Sequence, residues 1–424
     1  MWRWLDGRPA SNILQPEPVD AAAGPIAALP DAADVLPAER RAALVDAFNP
    51  SHPIRFRRDL RGRALELDAL FEALLHQRQH AIVYGPRGAG KTSLVRVFAH
   101  HADRRGVVLI YAASEGKASF VELIRPFLRT VPPANLPVGS DAAYRAELAE
   151  MGKVFGPQAV VSLLSRLESR PIIFILDEFD RVTSREVQDQ VATLMKLLSD
   201  TLSPVQLLVV GIAQSVEGLV DCHPSLRRHV TAVSIGPIPD REVEQLLISG
   251  GERAGLAFAP DATALIVEIA SGSPYHARLF AYHAGAVALA DGAQTVGRRD
   301  VVAGLRAAYR RWAGLNREDS ALFDRLAEMP ATTRAMLAAA VTQVARDDGT
   351  ESRMSGAASR AALGPMLAPA LVHGSDEARP AFRDTTAPQF LLAVLKLPDE
   401  PLDRGWAASP AIADATAQLP VTLG

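Results

Sequence analysis

Residues 85 to 93, GPRGAGKTS, contain the spacing G-x-x-x-x-G-K-[ST], and they stand between an apolar AIVY and a helical TSLVRVFAHH. That pattern suits a polyphosphate. The glycines let backbone N–H groups wrap an anion at a helix N-terminus, where unpaired donors and the helix dipole both favour negative charge. Gly85, Pro86, Arg87, Gly88, Ala89, Gly90 and Ser93 are expected to form the cradle, Lys91 to reach the outer phosphates, and the Thr92 hydroxyl to ligate Mg2+. Lysine is scarce in this chain, occurring elsewhere only as Lys117, Lys153, Lys196 and Lys396, which adds weight to Lys91.

About eighty residues downstream, IIFILDE at 172 to 178 ends an apolar run on two acids. Asp177 is placed to complete the Mg2+ shell and Glu178 to polarise a water for in-line attack on a γ phosphate. The chain has no N-K-x-D stretch of the kind that reads guanine, so ATP is the expected nucleotide, with Mg2+ as its metal.

Four runs of strand length, HAIVYG, GVVLIYAAS, PIIFILDEFD and VQLLVVGIAQS, are rich in Val, Ile and Leu and nearly unbroken. Such runs fit strands buried on both faces of a parallel sheet, and the segments between them, such as 91 to 105 and 184 to 199, have helical spacing. An α/β layered fold follows. After about residue 236 the strands are expected to stop, and four helical segments run to residue 315. Residues 316 to 400 read as further helices, two short strand-like pieces around a polar turn, and an apolar helix, an order that suits a winged helix. The expected organisation is a flexible arm at 1–37, an α/β nucleotide-binding unit at 38–235, a helical lid at 236–315, a winged-helix-like unit at 316–400 and a flexible tail at 401–424.

Composition bounds the rest. With 424 residues, 48% hydrophobic and 22% charged, the chain is long enough for two or three domains and has no apolar run near the length of a membrane span. A formal net charge of −3 excludes the strong positive field of a dedicated nucleic-acid binder. Cys222 is the sole cysteine, which fits a reducing compartment and a small buried hydrophobe. A cytoplasmic location is expected, and Trp2 and Trp4 on the arm are expected to tuck onto the body, with docking into a partner's groove as the alternative.

These residues resemble an AAA+ P-loop ATPase, in the branch that holds origin-recognition, archaeal-type and signalling (STAND-like) ATPases with a following winged helix. The resemblance covers residues 54 to 313 well and 316 to 397 loosely. It implies an α/β parallel-sheet core with a helical lid, and ATP hydrolysis. LRGRALELDALFEAL (60 to 74) is similar to the segment that lies beside the adenine in that branch, making Arg61, Gly62 and Arg63 candidates near the base. GIAQS (211 to 215) ends a strand where the family keeps its sensor 1 residue, so Gln214, with Ser215 behind it, takes that role. HPSLRRHV (223 to 230) stands where the family carries an arginine finger, so Arg227 or Arg228 would stabilise γ-phosphate charge, usually in a neighbouring subunit. That implies a nucleotide-dependent homo-oligomer. ASGSPYHARLF (270 to 280) is similar to the start of the lid helix bearing sensor 2, which assigns Arg278 to the γ phosphate. His276 and His283 have no metal-ligand partners in sequence and read as packing or surface residues.

Two uses of the ATP cycle follow: switching a protein assembly, or acting on DNA as an initiator, loader or transposition regulator does. The expected third helix of the winged unit, SRAALGPMLAPALV (359 to 372), holds one arginine, and the next turn, HGSDEARP, is acidic. Phosphate contacts need several cations near a groove, so a protein partner is preferred. RFRRDLRGR (55 to 63) and YRRW (309 to 312) keep DNA as the alternative. No aromatic pore-loop motif follows the second strand, in ASEGKASF, which favours a switch over a threading motor.

Overall fold

The apolar runs form strands β1 (His80–Tyr84), β2 (Val108–Ala113), β3 (Ile172–Asp177) and β4 (Val205–Gly211), and a fifth, β5 (Val230–Ser234), joins them. All pair in parallel in the order β2-β3-β4-β1-β5. The structure is a computed structural model and describes residues 37–50, 54, 57–114, 118–152, 154–168, 170–211, 224–346, 364–372 and 381–397. Gln214, Ser215, Cys222, Trp2 and Trp4 lie outside the described residues.

Successive strand residues point to opposite faces, and each face has its own core. Ala81, Val83, Ile173, Ile175, Leu208 and Val210 meet helices α2 (Ala64–Phe71) and α3 (Lys91–Asp103) on one side. Ile82, Phe174, Leu176, Leu207 and Val209 meet α4 (Phe120–Thr130), α5 (Asp141–Glu150), α6 (Pro157–Leu164) and α7 (Arg185–Asp200) on the other. Both faces being apolar explains why the strands carry unbroken hydrophobic runs. β5 was not expected from sequence. It is an edge strand, paired only to β1, and its VTAVS is half-exposed along most of its length, so it lacks that run.

β1 begins with His80, buried inside the sheet. Its Nε2 donates to the Met195 carbonyl at 2.7 Å and its Nδ1 accepts from the Leu207 N–H at 2.9 Å. The second bond fixes the neutral tautomer, and burial pushes the imidazole down to about 4.

The remaining helices make a separate core. It contains α1 (Ala38–Phe48), α8 (Asp240–Ala254), α9 (Pro260–Ala270), α10 (Pro274–Ala290), α11 (Arg298–Leu315), α12 (Arg317–Ala327), α13 (Ala331–Ala345) and α14 (Ala387–Lys396). Leu44, Ala47 and Phe48 of α1 lie in this core, and α1 packs on α8 and α10. Gly250 and Gly304 allow close approach: a Cβ on Gly250 would meet the Phe48 ring at 2.4 Å, and one on Gly304 would meet the Ala284 nitrogen at 2.5 Å. Trp312 of α11 stacks on Phe323 of α12 and Phe390 of α14, with centroids 5.3 and 5.0 Å apart, and its Nε1 donates to Asp384 at 2.7 Å. Residues 236–315 and 316–397 therefore share one continuous apolar interior.

Two small strands interrupt the stretch from 236 to 315 that was expected to be helical, while the two short strand-like pieces expected after 316 are present. β6 (Ala257–Phe258) pairs with β7 (Thr295–Val296), stapling the loops between helices. β8 (Leu371–Val372) and β9 (Ala381–Phe382) form an antiparallel ribbon. The turn joining them, 373–380, and the first part of the expected third helix, 359–363, lie outside the described residues. Among the described residues no helix is long and apolar enough to cross a membrane.

Candidate active site

The C-terminal ends of β1 and β3 open into a cavity of about 420 Å3 between the sheet and the helical body. Its floor is the loop from β1 to α3. Gly85 has φ 153°, and a Cβ there would stand 2.2 Å from the Ile235 carbonyl oxygen. Only glycine lets the loop leave the sheet that close to the end of β5. Gly90 caps α3 in the left-handed region at φ 97°, with no atom within 4 Å of where a Cβ would stand. Gly90, Lys91, Thr92 and Ser93 line the cavity, which puts the N-terminus of α3, with its unpaired amides, where it can hold an anion.

Lys91 Nζ donates to the carbonyls of Gly85 at 2.8 Å and Pro86 at 2.9 Å. Burial lowers its pKa to about 8, against the opposing pull of Asp180 and Asp177. A phosphate beside it would favour the charged form further. Thr92 Oγ1 donates to Asp177 Oδ2 at 3.1 Å, joining the two halves of the expected metal site. The backbone N–H of Glu178 donates to Asp177 Oδ1 at 2.8 Å. Tyr111 of β2, which sequence reasoning passed over, donates its hydroxyl to Asp177 Oδ2 at 2.6 Å. Asp177 itself is only 2% exposed, and a buried carboxylate requires such partners.

Glu178 sits at φ 56°, ψ 35°, left-handed for a residue with a Cβ. Such strain gathers at functional turns; here it turns the chain sharply after β3 and brings Glu178 onto the cavity wall. Its carboxylate pairs with Arg181 at 3.1 Å. Arg87 stands 3.8 Å from Asp180 across the cavity mouth.

Arg63 does not line up with the expected role beside a base alone. It is 4% exposed, pairs with Glu66 at 3.0 Å, and donates to the carbonyls of Ala89, at 3.1 Å, and of Gly236. Burial lowers its pKa while Glu66 opposes the shift. This guanidinium ties the phosphate loop to the chain leaving β5, with Arg61 beside it on the wall. Ser93 Oγ accepts from the Ile54 N–H at 3.2 Å.

The helical body supplies the far wall with Ile238, Leu246, Tyr275 and Arg278. Arg278 Nε is buried and has no hydrogen-bond partner. Burial lowers its pKa, Arg253 adds to that, and Asp59 opposes. A half-buried guanidinium with an unbonded Nε on a cavity wall fits an anionic ligand. His276 and His283, on the same helix, are buried packing residues as expected; burial pushes both imidazoles down to about 3. Among the described residues no group of three or more His, Cys, Asp or Glu could hold a metal unaided.

Arg227 and Arg228 lie elsewhere. They close the short 3-10 turn Pro224–Arg228 just before β5, at the end of the sheet opposite the cavity, and both are exposed. Leu226 between their turn and the core is fully buried, and the His229 carbonyl accepts from the His80 N–H at 2.9 Å. Neither guanidinium bonds to a described residue.

Residues 59–210 match a family profile described as an AAA ATPase domain. No curated protein matches the chain. Among solved structures, the Walker-type ATPase PABY2304 of Pyrococcus abyssi is similar over 82% of this chain and 99% of its own, at 19% identity and a TM-score of 0.48. Cdc6p from Pyrobaculum aerophilum is similar over 83% of this chain and 98% of its own, at 16% identity and a TM-score of 0.45. For the Aeropyrum pernix ORC1 protein, solved in complex with DNA, the figures are 89%, 96%, 16% and 0.43.

Proposed function

Because the chain carries an AAA ATPase domain over residues 59–210, we propose that it binds ATP with Mg2+ in the cavity between sheet and helical body, and hydrolyses it to switch a protein assembly. The observation that carries this reading is the Thr92–Asp177 contact at 3.1 Å, with Lys91 and Glu178 on the same cavity wall. Lys91 and the α3 amides bind the phosphates, and Thr92 and Asp177 hold Mg2+, which when bound polarises the phosphate oxygens. Glu178 accepts a proton from the attacking water, and Arg278 senses the γ phosphate from the lid side. The apolar part of the wall, Ile54, Leu60, Ile238 and Leu246, suits a purine. Gln214 keeps its proposed place as sensor 1.

Arg227 and Arg228 are proposed to serve a neighbouring subunit's site. Five residues of β5, at about 3.3 Å each, separate them from the cavity end of the sheet, further than an arginine side chain spans. Their reading as fingers therefore requires a second copy of the chain, assembled when ATP is bound. The proposed division at 235/236 and 315/316 has the lid and the winged-helix-like unit moving together, supported by their shared interior. A cytoplasmic location belongs to the same reading.

The test is Mg2+-dependent phosphate release by the wild type against Glu178→Gln, with nucleotide binding measured in parallel. Equal rates would remove Glu178 as the base. Association with DNA is the second reading, favoured by exposed Arg57, Arg58, Arg104 and Arg105 around the end of α3. The pKa of His101 there is lowered by burial first and then by His100, Arg57, Arg105 and Arg104. Capture of partners on ATP-loaded Glu178→Gln protein, with and without nuclease, separates the two.

A further inference from the structure

The hydroxyl of Tyr111 does work that no part of the phosphate-loop pattern assigns. β2 and β3 run in parallel with Tyr111 opposite Ile175 and Ala113 opposite Asp177. Tyr111 and Asp177 therefore share the sheet face covered by α3, one diagonal step apart, a separation that a long aromatic side chain bridges. The bridge is made: Tyr111 donates to Asp177 Oδ2 at 2.6 Å, within the range of a hydroxyl bonded to an ionised carboxylate. The same oxygen accepts from Thr92 Oγ1 at 3.1 Å, and Oδ1 accepts from the Glu178 N–H at 2.8 Å.

Each of these three bonds fixes a different freedom. The backbone bond sets Oδ1, Thr92 belongs to the metal site itself, and among the described residues Tyr111 is the side chain outside that site that holds Oδ2. The geometry points to Tyr111 as a positioning residue that orients the Asp177 carboxylate toward Thr92 and thereby sets how tightly Mg2+ binds beside the nucleotide. This rests on the ATPase reading of the site. Outer partners of this kind fix the direction of a carboxylate so that metal binding does not have to order it. Tyr111 makes no contact with nucleotide in this role.

The test uses the full chain and a fluorescent ADP analogue, first in EDTA and then in a Mg2+ titration, with wild type, Tyr111→Phe and Tyr111→Met. The two variants lack the hydroxyl but fill the strand face differently, so a shared effect reports the hydroxyl. Their affinity in EDTA is expected to match the wild type, while the Mg2+ concentration giving half of the metal-dependent gain rises about tenfold. Mn2+, which binds such ligands more tightly, is expected to need a smaller excess. Half-points equal to the wild type in both variants would overturn the role of Tyr111. A wild type whose nucleotide affinity ignores Mg2+ would overturn the metal-site reading beneath it.

Discussion

The two ends of the parallel sheet are built on opposite plans. At the cavity end, most charged groups are taken up by one another and by the backbone: Lys91 by loop carbonyls, Arg63 by Ala89, Gly236 and Glu66, Glu178 by Arg181, and Asp177 by three donors. At the other end the support is just as tight, with Leu226 buried and His80 bonded to both neighbouring elements. The arginines it carries nevertheless stand exposed. A rigid mount under unpaired cations is what a surface acting on another molecule needs, since a solvated charge on a floppy turn would lose too much freedom on contact. One end grips a ligand; the other offers charge outward.

The strongest way to break this comparison is to remove the outward charge. Arg227→Ala and Arg228→Ala, made separately, are expected to leave nucleotide affinity unchanged, while the acting arginine costs about 10³-fold in phosphate release. Mixing that variant with Glu178→Gln protein is expected to restore part of the activity. Weakened nucleotide binding, or no recovery at any mixing ratio, would place the arginines in a different role. Next in size is Glu178→Gln alone, expected to slow turnover by about 10²-fold or more while nucleotide stays bound, read by phosphate release and equilibrium binding.

Arg63→Ala sharpens the contrast from the gripping side. Loss of a buried cation that satisfies two loop carbonyls and pairs Glu66 is expected to cost about 3 kcal/mol of stability, measured by urea denaturation. A change like that of an exposed arginine, within about 0.5 kcal/mol, would remove Arg63 as the tie between loop and sheet. Acid probes the mount at the opposite end. His80 is held neutral, with its pKa near 4 rather than the ordinary 6.5, so the unfolded chain takes up a proton first as pH falls. The stabilisation is complete above about pH 6.5 and is lost as pH falls from there through 4, on the order of 2 kcal/mol by pH 5. His276 and His283 add losses of the same sign, down to about pH 3. His80→Gln is expected to flatten the pH dependence of denaturation midpoints without removing it.

What was legible in the sequence follows the chemistry of each element. The strands β1 to β4 announced themselves because their runs are almost wholly apolar, even in β2 at the sheet edge; β5, at the other edge, did not, because its half-exposed length tolerates Thr, Ala and Ser. The phosphate loop and the Asp-Glu pair were readable as local patterns, since their donors lie within a few residues of one another. Tyr111 and His80 were not. Each is a polar residue inside an apolar run, and its partner is reached only through strand register or packing: Asp177 for one, Met195 and Leu207 for the other. A single polar residue in a buried strand was the available signal. The shared interior of residues 236–315 and 316–397 was hidden for a related reason, because periodicity marks each apolar helix face and leaves open which helices face each other.

Trp312 gives that shared interior a voice. It stands between Phe323 and Phe390 with its indole N–H on Asp384, and it is the one tryptophan among the described residues. Its ultraviolet emission is therefore tuned by aromatic rings from two other helices and by one nearby carboxylate. If nucleotide turnover swings the helices as one lever, the colour of that emission stays fixed through the cycle. If α14 peels away from α11, water reaches the indole and the light shifts to the red, so with Trp2, Trp4 and Trp406 replaced by Phe the protein carries its own optical gauge.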